Sequence, residues 1–247
     1  MDRILSNAEL WGFDINPHLK SIFPEKDNLH FISTTLEDLE GSFDLIIFSH
    51  SILYIPDLPD VMLSIEGLLK NNGILYLQIP DIRKNPYYSL MGDQSFLFTP
   101  TSLENVLSKY GFKTEAIVSN YFPRELLVAA KKEKSDDSHN YAEDSVFEKN
   151  VKLIKGVKEQ LGNMDHQNLA VLGTTANAAF VDEIIGEKIR FFVDENVSKM
   201  RQNFRGKNVV HPKDLHESNH TLLPHWESGI KLKKRFELSY DGIFTVI

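Results

Sequence analysis

Cysteine is absent from the 247 residues, which excludes disulfides and thiolate metal sites. It also fits a reducing compartment, so the expected setting is cytoplasmic. Basic residues are the minority, 27 Lys and Arg against 35 Asp and Glu, for a net charge of −8. Without a basic arm or stripe there is no electrostatic footprint for nucleic acid. No apolar run approaches the roughly 20 residues that a bilayer span needs, so no membrane partner is expected. The opening MDRILSNAEL lacks the basic-then-apolar form of a signal peptide. The nine histidines are scattered, and His211, His216, His220 and His225 gather only in sequence. With no HExxH spacing and no cysteine partner, no metal is expected.

What is present organises around residues 42–80. Leu45-Ile46-Ile47-Phe48 is an unbroken apolar run, as expected of a strand buried on both faces. Leu58, Val61, Met62, Ile65, Leu68 and Leu69 recur at helical spacing. Asp57 can cap that helix, Pro59 suits its first turn, and Asn71-Asn72-Gly73 is expected to stop it. Ile74–Ile79 reads as a second strand, parallel to the first. In such open α/β sheets the ligand crevice lies beyond the carboxyl ends of the strands. Here those ends present Ser49-His50-Ser51 and Asp81-Ile82-Arg83.

Before this unit, Leu10–Phe13 enters a strand ending at Asp14. A carboxylate there can accept from a ribose diol, or it can cap a helix through His18, Leu19 and Ile22. After the unit come a polar loop with Tyr87 and Tyr88, then a capped helix carrying Leu103, Val106, Leu107 and Tyr110, and two strands over 113–119 and 125–130. Tyrosines in such a loop can cover a pocket or pack on the domain edge. KKEKSDDSHNYAED is charge-dense and apolar-poor, and reads as a linker. An amphipathic helix follows over 146–161. The strand Leu169–Leu172, a Gly173 turn, a helix, and a strand ending at Asp194 then form a Rossmann-type unit. It has only one of the three fingerprint glycines, so a structural role is favoured over a dinucleotide site.

FDLIIFSHSILYIPD with the following NNGILYLQIPD resembles the fourth and fifth strands of class I S-adenosylmethionine-dependent methyltransferases. LWGFDINP resembles their second strand. SFLFTPTSLENVLSKYGF and the stretch from about Asn168 are similar to the closing segments of saccharide C-methyltransferases. The resemblance implies an α/β protein: a Rossmann-like methyltransferase sheet over 1–132, a linker over 133–145, and a smaller Rossmann-like domain over 146–247. It implies S-adenosyl-L-methionine as cofactor, held by Asp14, Thr35, Leu36, Ser49 and His50, and a sugar or sugar-nucleotide acceptor near Tyr87, Tyr88 and Gln94. His50 is the general-base candidate at a central strand end, or else it binds its own loop. Tyr54 can orient the acceptor or pack under the sheet.

Three departures from the family pattern stand out. The first strand and glycine-rich loop have no counterpart between Met1 and Gly12. The chain is therefore expected to be a fragment, to start at a shortened reading frame, or to have lost cofactor binding. The cysteine-rich zinc module of larger members has no counterpart either. Gln94 and Ser95 stand where saccharide C-methyltransferases have a Glu-His pair, and neither titrates near neutral pH. Transfer to oxygen or nitrogen is then expected rather than to carbon. The competing expectation is a non-catalytic methyltransferase remnant that binds or assembles.

Overall fold

The computed structural model describes residues 7–24, 26–33, 36, 39–122, 124–133, 145–200 and 202–247. The chain is a mixed α/β protein. Strands β1 (Leu10–Phe13) and β2 (Leu29–Ile32) pair in parallel as a small sheet of their own. Between them, Asn16 caps a 3-10 turn by accepting from the His18 amide. The second sheet holds β3 (Phe43–Ser49), β4 (Leu69–Pro80), β5 (Phe112–Val118) and β6 (Glu125–Lys132) in the order β3-β4-β6-β5. β3 and β4 run parallel, as expected, while β6 lies antiparallel to both β4 and β5.

Two expectations are corrected here. β3 is an edge strand, and Leu45 is 42% exposed, so the strand is not buried on both faces. Its apolar run instead supplies one buried face, through Phe48, with Ile46 packed against the same core. Helix α1 (Leu58–Leu68) also ends three residues before Asn71. β4 begins at Leu69, and the register slips between Phe43 and Leu45 so that Asn71-Asn72-Gly73 lies within the strand. Asn72 takes φ 62°, the left-handed region that Asn tolerates. Gly73 fits because a Cβ would stand 2.9 Å from the Lys70 carbonyl. Asn72 adopts the left-handed conformation its side chain tolerates, but the stretch makes a bulge rather than a helix stop.

α1 buries Leu58, Val61, Met62 and Ile65 in the core of this sheet, and Leu68 is buried as well. Each such side chain contributes about 1.5–3 kcal/mol on leaving water. On the same core lies α2 (Pro100–Lys109), opened by a reciprocal capping box between Thr99 and Ser102.

After residue 145 comes α3 (Val146–Gly162), then β7 (Leu169–Leu172), α4 (Ala176–Ile185), β8 (Ile189–Val193), β9 (Asn203–Phe204), β10 (Lys207–Val210), β11 (His220–Leu223), α5 (Trp226–Ser239) and β12 (Ile243–Val246). The sheet order is β12-β11-β7-β8-β10-β9, parallel except at β9. Its first strand is central and the chain winds outward on both sides, as in Rossmann-like sheets. The two halves touch. The Asn150 amide, on α3, donates to the Ile82 carbonyl at 2.9 Å, and the Tyr87 ring meets Phe180 of α4 at 5.7 Å.

Residues 134–144, most of the expected linker, lie outside the described residues. Their sequence, rich in charge and poor in apolar side chains, remains the place where a protease is expected to cut first. Mild trypsin or Glu-C treatment should release two resistant pieces of the sizes set by that cut. A first cut within 43–80 would overturn the two-part division.

Candidate functional site

The carboxyl ends of β3 and β4 carry a polar cluster drawn from three strands. His50 follows β3 directly, with φ 58°, and its amide donates to the Gln78 carbonyl at 2.8 Å. The antiparallel register Pro80↔Glu125 brings the start of β6 to this same end. There His50 Nε2 stands 3.4 Å from Glu125 Oε1. The Gln78 side-chain amide donates to the other oxygen, Glu125 Oε2. The result is a half-exposed imidazole backed by a carboxylate that a third residue holds in place.

Beside it, Asp81 is fully buried and wholly engaged by Arg83. Asp81 Oδ1 accepts from the Arg83 amide and Nε at 3.0 and 2.9 Å, and Oδ2 from Nη2 at 2.7 Å. The Asp81 amide donates to the Arg124 carbonyl at 2.9 Å, tying the end of β4 to the entry of β6. Tyr88 lies within the field of Arg124, Glu125 and Asp81, and burial is the main cause that raises its phenol above the usual value.

The other sequence-derived residues are distributed as follows. Tyr87 is 1% exposed in the contact with Phe180, and burial pushes its phenol up to about 12. It belongs to the contact between halves rather than to a pocket cover. Tyr54 is 44% exposed, so it does not pack under the sheet. Ser95, next to Gln94, donates through its amide to the Leu53 carbonyl at 2.8 Å, which sets Gln94 beside the Tyr54 turn. The Gln94 Oε1 is buried without a partner among the described residues. Asp14 is half-buried, and its Oδ1 accepts from the Asn16 amide at 2.8 Å. Its Oδ2 takes no hydrogen bond among the described residues. Leu36 packs against the first core, and Ser49 is exposed at the end of β3. Thr35 lies outside the described residues.

Sequence reasoning missed Glu125, Gln78 and Arg124. The signal was indirect: an antiparallel strand next to β4 must return its first residues to the end where β4 finishes.

Residues 4–117 match the methyltransferase-domain family. The match spans just under half of the chain. Among solved structures the chain is similar to an S-adenosylmethionine-dependent methyltransferase from Mesorhizobium loti, at 16% identity over 50% of this chain and 81% of that one, with TM-score 0.41. It is also similar to one from Methanosarcina mazei, at 15% identity over 51% and 82%, with TM-score 0.39. A third is the N-methyltransferase NodS from Bradyrhizobium japonicum, at 12% identity over 51% and 74%, with TM-score 0.38. No curated protein matches the chain.

At the fingerprint positions of the second half, both oxygens of Asp194 already accept from this chain's own groups. The Thr174 hydroxyl donates to Asp194 Oδ2 and the Asn196 amide to Asp194 Oδ1, both at 2.9 Å. Two open hollows, of about 480 and 770 Å³, lie along α3 and beside β10, and neither borders His50. Among the described residues no group of three or more His, Asp or Glu side chains is placed to hold a metal ion. No helix among them is long and apolar enough to cross a membrane.

Proposed function

We propose that this chain methylates a small acceptor, a sugar or sugar nucleotide, on oxygen, using S-adenosylmethionine. The observation that carries the reading is the His50–Glu125 pair, 3.4 Å apart at the carboxyl end of β3. Asp14, Thr35, Leu36, Ser49 and His50 are the residues that would hold the cofactor. The open Oδ2 of Asp14 fits that role, because a ribose diol needs an unengaged acceptor. The bound cofactor supplies an electrophilic methyl carbon on a sulfonium.

Everything else falls to the chain's own side chains. His50 turns Nε2 toward Glu125, which leaves Nδ1 to take the proton of an acceptor hydroxyl as its oxygen gains the methyl group. Glu125 fixes the ring and stabilises the imidazolium that forms, and Gln78 fixes Glu125. Tyr88, Tyr54 and Gln94 are left to position the acceptor around this pair, and most of the rate gain comes from that positioning. Carbon transfer needs a base beside the sugar carbonyl; an amide stands at Gln94, and His50 would serve only for an acceptor lying over β3.

The reading is tested by incubating the chain with methyl-labelled cofactor and a panel of sugars and sugar nucleotides. Labelled product carrying a methoxy group, found by mass spectrometry and NMR, is expected. A methyl on a sugar carbon, or no product from any acceptor, would overturn it.

A further inference from the structure

Arg124, next in the chain to Glu125, has no part in the proton transfer. It is half-buried where the β5–β6 hairpin re-enters the sheet, and it takes φ 67°. Its carbonyl is held by the Asp81 amide at 2.9 Å, so its place is fixed from the main chain. Its guanidinium has no carboxylate partner among the described residues. Asp81 is fully taken up by Arg83, and Glu125 by His50 and Gln78. His225 of the second half stands near enough to feel the Arg124 charge, yet burial keeps that ring neutral. A partly desolvated cation left unneutralised, in a chain with net charge −8, is a feature that folding does not need. Its fork of N–H donors matches the oxygens of a phosphate or a carboxylate.

Two aromatic residues lie just before it on the hairpin tip. Tyr121 and Phe122 meet edge to face at 4.8 Å and remain 72% and 43% exposed. Neither belongs to a core cluster of buried residues. Exposed aromatic surface within three residues of a cation that has no carboxylate partner among the described residues suits a ligand that joins a flat, apolar face to an anionic group.

We infer that the tip of the β5–β6 hairpin recognises the acceptor: Arg124 takes its oxyanion, and Tyr121 and Phe122 lie against the ring that bears it. The acceptor is then an acidic, ring-containing small molecule, its oxyanion held by the residue next in sequence to Glu125. The inference rests on the methyl-transfer reading for calling this ligand the acceptor. The anion site itself stands on the geometry of the hairpin.

Calorimetric titration of the whole chain, without cofactor, tests it with inorganic phosphate, acetate and phenyl phosphate as probes. Phosphate or acetate is expected to bind saturably, and whichever binds identifies the oxyanion as phosphate or carboxylate. Arg124→Gln should weaken that binding about tenfold or more, as loss of a bidentate charged pair does. Arg124→Lys, which keeps the charge without the fork, should weaken it less, with an unchanged melting temperature in both variants. Phenyl phosphate should bind more tightly than inorganic phosphate, and Tyr121→Ala with Phe122→Ala should erase that gain while sparing inorganic phosphate. Equal binding by wild type and Arg124→Gln, or no saturable binding of any probe, would overturn the inference. If anion binding behaves as described but no acceptor is methylated, only the methyl-transfer reading fails.

Discussion

Replacing His50 by alanine lowers turnover by a factor of about 10²–10⁴, the range for a positioned general base. Gln94→Ala lowers it far less. His50 is the imidazole at the end of β3 with a carboxylate 3.4 Å behind it. Gln94 offers an amide whose Nε2 reaches only the Met91 sulfur among the described residues, at 3.9 Å. The loss at His50 should fall on kcat, because a proton moved as the new bond forms contributes mainly to the transition state. Glu125→Gln should fall between the two variants: the neutral amide keeps the shape but no longer stabilises the imidazolium. Position 50 has φ 58°, strained for His and Ala alike, so His50→Ala changes the chemistry without changing the backbone demand. Initial rates at saturating cofactor, with melting curves to confirm folding, decide the matter. Full activity in His50→Ala would remove the base from the mechanism and with it the support for an oxygen acceptor.

Local chemistry made much of the fold readable. The α1 stripe, the Asp57 cap and the Thr99 capping box each act within one helical turn, and each appears where its residues stand. The strand over 74–79 and the Gly173 turn were legible for the same reason. α5 was not anticipated. Phe236 is fully buried, while Ile230 and Leu238 are exposed, so its apolar residues give no single stripe. The edge position of β3 was hidden too, because an apolar run does not report which of its faces finds a partner.

The site divided along the same line. His50 was visible because a histidine after an apolar run is a local pattern. Glu125 lies 75 residues further on, and only the antiparallel register of β6 against β4 brings it to His50. Tyr87 and Tyr88, adjacent in sequence, part company in the structure. One turns into the contact with Phe180, and the other toward the charged cluster. No pattern within the loop separates them, since the second half decides which ring it covers.

The contact between halves also carries the second large effect, and it is one of pH. His225 precedes α5 at the carboxyl end of β11, with its Nδ1 buried and unpartnered among the described residues. Burial, with the Arg124 charge adding to it, pulls the imidazole from 6.5 down to about 4. The folded chain therefore keeps His225 neutral at a pH where the unfolded chain protonates it. Stability is full above the unfolded value of 6.5 and falls as pH drops from there toward about 4. Across that window the loss amounts to about 3 kcal/mol, at 1.36 kcal/mol per pKa unit. The carboxylates act lower on the scale. Asp182 is raised by burial, but hydrogen bonds from Lys207 and Arg205 outweigh that and hold it below 3.8, so its contribution is lost only in stronger acid. Urea unfolding followed at several pH values between 7 and 4 separates these ranges. His225→Gln cannot titrate, and its midpoint should decline much less between pH 6.5 and 4 than that of the wild type. Parallel declines in the two proteins would show that His225 is not the group whose protonation destabilises the fold in this range.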